Sequence, residues 1–68
     1  MEEIQFNAAM EHIIAALKER GYDPLAQLPG YITENDPIYI PSHNGARLLI
    51  TKLDIGAVKK FVENMDKE

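Results

Sequence analysis

The sequence predicts an all-α fold, a small four-helix domain whose second helix is short or broken. Three observations carry that expectation. Apolar residues recur at helical spacing in four separate segments. Asp23, Ser42 and Asp54 stand where helix starts need a capping oxygen. Gly21 and the Pro37 and Pro41 positions punctuate the chain between those segments.

Asn7 is the expected cap of the first helix, which runs to Arg20. Phe6, Met10, Ile13, Ile14 and Leu17 form its apolar stripe. Lys18 and Arg20 fall in its last turn, where the macrodipole favours cations, and Gly21 ends it. Asp23-Pro24 then repeats a start signal, a capping carboxylate followed by proline at the first helical position. Leu25, Leu28 and Ile32 suit a short second helix. Pro29-Gly30 is expected to bend or break it, because proline lacks an amide donor and crowds the preceding turn.

Residues 36–41 read as an extended connector. Pro37 and Pro41 each bias the preceding residue towards extended geometry. Ser42 is the expected cap of a third helix through about Leu53, with Ala46, Leu49, Ile50 and Leu53 on one face and Gly45 weakening its first turn. Asp54 caps a fourth helix with Val58, Phe61, Val62 and Met65 as its stripe, and residues 66–68 are expected to fray.

Sixty-eight residues make a single domain, taken as residues 1–68. A core of that size is marginal, and disulfides, a metal or self-association are the usual remedies. The chain has no Cys, so disulfides and thiolate zinc sites are excluded. Self-association as a homodimer is the expected remedy. At 46% apolar residues the chain is too hydrophobic for general disorder. No apolar run reaches bilayer-spanning length, and Met1-Glu2-Glu3 is acidic where a signal peptide is basic, so a cytoplasmic protein is expected.

The net charge of −4 disfavours a nucleic-acid partner, since phosphate binding needs a positive surface. The charge is uneven. Glu2, Glu3, Glu11, Glu19, Asp23, Glu34 and Asp36 face only Lys18 and Arg20 in residues 1–40, whereas Arg47, Lys52, Lys59 and Lys60 face only Asp54 in residues 41–60. Complementary halves that attract each other account for this pattern. A basic docking face for an acidic partner is the alternative.

Chemistry-bearing patterns are weak. Ser42-His43 is read as a cap and a first-turn residue, because adjacent side chains rarely meet and no acid is placed to orient the imidazole. Glu11-His12 and His43 do not make a metal spacing. Asp23 and Asp36 have structural work as a cap and a turn residue. Gly21, Gly30 and Gly45 form no phosphate-cradling pattern. No catalytic, cofactor or metal site is expected. A helix-turn-helix reading fails, because the connector is too long and proline-rich and the third helix offers only Arg47 and Lys52 as cations.

The remaining candidates are partner-binding residues: Tyr22, Tyr31, Tyr39, His43 and Arg47. Tyrosine suits interfaces with one apolar and one wet side, so at least one of the three is expected at a dimer contact. Arg47 lies four residues after His43, on the same helix face. Its planar fork suits a carboxylate or a phosphate. A structural ion pair with Asp36, Glu34 or an acid of a second protomer is the first reading, with Asp36 preferred. Recognition of a phosphate or an acidic partner is the second.

The run Gly21-Tyr22-Asp23-Pro24, Gln27, Gly30-Tyr31, Asp36-Pro37, Tyr39-Ile40, His43 and Ala46-Arg47 resembles the IreB family of small regulatory phosphoproteins of Gram-positive bacteria, from which Pro29 and the pair Asn44-Gly45 depart. The likeness covers roughly residues 13–55. It implies a dimeric cytoplasmic regulator without enzymatic activity, acting through a signalling protein downstream of a transmembrane Ser/Thr kinase that senses cell-wall stress. Phosphoacceptor threonines near the N-terminus belong to that family, and Met1 to Arg20 holds neither Ser nor Thr. The first such residue is Thr33, so this chain is expected to diverge at the switch. A nucleic-acid-associated protein using the basic 41–60 stretch is the alternative function.

Overall fold

The computed structural model describes residues 3–66. Four α-helices follow one another: α1 (Glu3–Glu19), α2 (Pro24–Glu34), α3 (Ala46–Thr51) and α4 (Ile55–Asp66). Two 3-10 turns, Pro37–Tyr39 and His43–Gly45, connect α2 to α3. Among the described residues there is no strand.

Local chemistry explains most boundaries. α1 ends in a Schellman motif: the Tyr22 amide donates to the Leu17 carbonyl at 2.8 Å and the Gly21 amide to Lys18 at 3.0 Å. Gly21 takes φ +82°, which glycine adopts without a Cβ penalty. Asp23 accepts from the Leu25 amide and Pro24 opens α2. Asn35, at φ 53°, closes α2 by donating its amide to the Tyr31 carbonyl at 2.6 Å. Asp54 accepts from the Ala57 amide at 3.0 Å and starts α4.

α1 packs on α3, and α2 packs on α4. Between them lies one core of Met10, Ile13, Ala16, Leu17, Leu28, Tyr31, Ile40, Ala46, Ile50, Val58 and Val62. Each fully buried Leu, Ile, Met or Val there contributes about 1.5–3 kcal/mol. Phe6 of α1 meets Phe61 of α4 edge to face, with ring centroids 5.9 Å apart. The stripes expected for the first and fourth helices therefore point at one shared core.

Five local expectations are corrected. α1 begins at Glu3, and Asn7 is an exposed interior residue instead of a cap. The amphipathic face extends upstream of Asn7 through Phe6, and its packing outweighs the local capping preference of Asn. α2 runs unbroken through Pro29 and Gly30. Pro29 lacks the amide that would reach the Leu25 carbonyl in the first turn. Both residues are exposed, so solvent can satisfy that group. The 36–41 connector is extended at Asp36 and Ile40, and the 3-10 turn Pro37–Tyr39 between them interrupts it.

Ser42 makes no side-chain cap. The third helix is shorter than expected at both ends, running from Ala46 to Thr51. Asn44 and Gly45 both take positive φ, 54° and 73°, and this kink separates α3 from the turn before it. At the C-terminus α4 includes Asp66, and the expected fraying of residues 67 and 68 lies outside the described residues.

Candidate partner-binding surface

The surface is built by the segment from Asp36 to Arg47, which crosses between the two helix pairs. Its shape is held by four contacts to residues distant in sequence. The Asp36 carboxylate first folds the segment locally by accepting from the Ile38 amide at 3.1 Å. Gln27 of α2 then donates Nε2 to the Tyr39 carbonyl at 3.0 Å. The Tyr39 ring lies over Gly30, where a Cβ would fall 2.7 Å from Cε1. Gly30 is therefore required for close approach and not for a bend.

Arg47 completes this part of the frame. Its Nε donates to the Ile40 carbonyl at 2.7 Å. The expectation of an anionic partner, with Asp36 first, is corrected: among the described residues Arg47 meets no carboxylate, and Asp36 is occupied with the Ile38 amide. The reason is the buried position of Ile40, whose carbonyl needs a donor and faces the start of α3.

Both histidines of the chain hold the Asn44-Gly45 turn to α1. His12 donates Nε2 to the Asn44 carbonyl at 2.8 Å. His43 donates Nε2 to the Glu19 carboxylate at 2.7 Å, and Asn44 Nδ2 approaches the same oxygen at 3.4 Å. This clasp was not legible in the sequence, because its partners lie 24 to 32 residues apart. The pair is partly exposed, with 33% of the His43 and 57% of the Glu19 side chain open to solvent, so it contributes modestly.

The five expected partner-binding residues do not converge on one spot. Tyr22 is 47% exposed after α1. Tyr31 is buried in the core at 4%. Tyr39 is half-buried over Gly30, His43 is paired with Glu19, and Arg47 is exposed while bonding Ile40.

Among the described residues, two apolar side chains outside that set are the most exposed of their kind, Ile38 at 70% and Leu48 at 64%. They stand on neighbouring elements, the first 3-10 turn and α3. Leu48 was recognisable in retrospect as the apolar residue off the Ala46-Leu49-Ile50-Leu53 stripe. A separate open groove of about 320 Å³ lies between α2 and α4, lined by Leu25, Pro29, Ile32 and Val62 with Lys59 and Glu63 beside them.

Among the described residues no three His, Asp or Glu side chains are grouped to hold a metal ion. No helix among them is long and apolar enough to cross a membrane. The geometry is that of a scaffold presenting apolar side chains from a braced connector. Residues 1–65 match the family model described as IreB regulatory phosphoprotein, a longer stretch than residues 13–55, which carry the resemblance in sequence. The bracing residues Gln27, Gly30, Tyr39, Ile40, His43 and Arg47 all lie within that match, and the chain belongs to the IreB regulatory phosphoprotein family.

Proposed function

We propose that this protein is a non-enzymatic regulatory adaptor that works as a cytoplasmic homodimer in Ser/Thr-kinase-linked signalling of cell-envelope stress. The observation that carries the reading is the family match across residues 1–65. The exposed Ile38 and Leu48 on adjoining elements support a protein contact, since apolar groups gain by leaving water. Tyr39, His43 and Arg47 contribute polar and aromatic groups from the braced segment, Tyr22 offers a separate exposed contact after α1, and Tyr31 holds α2 in the core.

The test has three arms. Sedimentation of the full chain at tens of micromolar reads the dimer. Capture from lysate of envelope-stressed bacteria, with the bound protein identified, reads the adaptor role. A monomer that captures no signalling protein sinks the proposal. Titration with duplex and single-stranded DNA at low salt is the third arm. Binding that weakens steeply with added salt would move the function to nucleic acid through the 41–60 cations.

A further inference from the structure

We propose that Asn44 is a site of spontaneous deamidation gated by the clasp on α1. While the turn is held, the chemistry is blocked. Once the turn leaves α1, hydrolysis leaves an acidic residue at position 44 that the clasp cannot hold again.

Of the four asparagines in the chain, only Asn44 precedes glycine. Asparagine is a labile residue because the next backbone nitrogen can attack its side-chain carbon. Gly45 supplies that nitrogen with no Cβ beside it to crowd the approach. Both residues are exposed, so the water that completes the reaction is at hand. Asn35 is followed by Asp36, whose side chain crowds the equivalent nitrogen. Asn7 and Asn64 lie inside α1 and α4, where the following amide is tied into the helical ladder. The Asn44-Gly45 pair is also where the chain departs from the family run.

Ring closure requires the Asn44 Cβ and the Gly45 nitrogen to eclipse about the Cα–C bond. At ψ 28° they stand on nearly opposite sides of it. The Asn44–Gly45 peptide plane must turn over before the nitrogen can reach Cγ. Two hydrogen bonds hold that plane, one on each edge. The Asn44 carbonyl accepts from His12 at 2.8 Å, and the Gly45 amide donates to the Ser42 carbonyl at 3.1 Å. The side-chain amide is held as well, with Asn44 Nδ2 3.4 Å from Glu19 Oε1 and 3.2 Å from His43 Nε2. Reaction therefore waits for the turn to open, and its rate follows the open fraction.

In the open turn the Gly45 nitrogen bonds to Cγ as the Cγ–Nδ2 bond breaks, and the Gly45 amide proton leaves with the ammonia. Water then opens the succinimide. Attack at Cγ yields aspartate, and attack at the Asn44 backbone carbonyl yields isoaspartate. Aspartate puts a carboxylate oxygen where the Nδ2 donor faced Glu19. The like charges repel, and both compete for the single Nε2–H that His43 gives to Glu19. Isoaspartate routes the chain through Cβ, which removes the backbone carbonyl that His12 grips.

The experiment incubates the full chain in mildly alkaline buffer and follows conversion of amide to acid by peptide mass spectrometry, with electron-transfer fragmentation separating isoaspartate from aspartate. Conversion should occur at Asn44 ahead of Asn7, Asn35 and Asn64, and many-fold more slowly in the folded chain than in denaturant. His12→Ala and Glu19→Ala should each speed it several-fold, with circular dichroism showing that both variants stay folded during the incubation. Glu19→Gln keeps an oxygen for Asn44 and should fall between Glu19→Ala and the native chain. Asn44→Asp reads the consequence of the product. Its amide exchange at Gly45 and Ala46 should be several-fold faster than native, with the middle of α4 unchanged. Adding Glu19→Gln to Asn44→Asp removes one of the two charges and should slow that exchange again. Equal conversion in the folded and denatured chains, clasp variants that convert at the native rate, earlier conversion at another asparagine, or native exchange at the turn in Asn44→Asp would overturn the proposal.

Discussion

The ring of Tyr39 rests on the bare Cα of Gly30, close enough that a methyl group there would sit 2.7 Å from Cε1 and 2.8 Å from Cδ1. This contact joins α2 to the connector and reverses an ordinary rule about helix glycines. A Gly→Ala change inside a helix usually gains about 1 kcal/mol from propensity. Here the Tyr39 backbone is held by Gln27, so the ring must swing away from its packing. Gly30→Ala should therefore lose about 1–3 kcal/mol from overpacking, offset in part by that gain. A Gly30→Ala/Tyr39→Ala pair should recover part of the loss relative to Tyr39→Ala alone. Chemical denaturation of the four chains checks it, and an alanine at 30 that stabilises the chain would contradict the close approach.

Arg47→Lys should lower stability by about 1 kcal/mol, because lysine has no donor at the position of Nε and leaves the Ile40 carbonyl unpaired. Arg47→Met should cost about as much, since the interaction depends on a donor in the right place more than on charge. Thermal melts of the two variants check this. A lysine variant indistinguishable from the native chain would mean that water or another donor replaces the bond.

Asn44 and Asn35 both hold φ values above 50°. A left-handed backbone costs an ordinary L residue about 1–2 kcal/mol, and glycine escapes that penalty. Asn35→Gly should be neutral or slightly stabilising, whereas Asn35→Ala should lose about 1 kcal/mol. At Asn44 the glycine variant should still lose a few tenths, since the side-chain contact to Glu19 goes with it. Melting temperatures in the order native, glycine, alanine at position 44 are the expected outcome.

His12 and Glu19 hold the same turn from two positions on α1. Their removal should not be additive, because either one restrains the turn that the other needs. Each single alanine variant should lose about 0.5–1 kcal/mol. A double-mutant cycle read by denaturant melts should show coupling well outside its error. Strict additivity would mean that the two contacts act independently.

Ile38→Asp and Leu48→Asp should weaken self-association without lowering the stability of the folded monomer, since both side chains are already in water. Sedimentation across a concentration series is the readout. A dimer unaffected by both changes would place its interface elsewhere, with the α2–α4 groove the next surface to alter.

Features that depend on neighbours three or four residues away could be read from local pattern. The Asp23-Pro24 start, the Asp54 start, the Gly21 stop and the Asp36-Pro37 turn were all legible, because each is a hydrogen bond or a backbone constraint closed within a single turn. The apolar stripes were legible for the same reason, since helical period decides which residues share a face. Features that depend on groups distant in the chain emerged from packing. Packing of Phe6 carried α1 upstream of Asn7, and solvent exposure let Pro29 remain within α2. The buried Ile40 carbonyl, seven residues before Arg47, claimed a side chain that its charge alone had assigned to an acid. The two histidines met one turn across 24 to 32 residues, a distance at which local pattern carries no information and the packing of α1 on α3 sets the geometry.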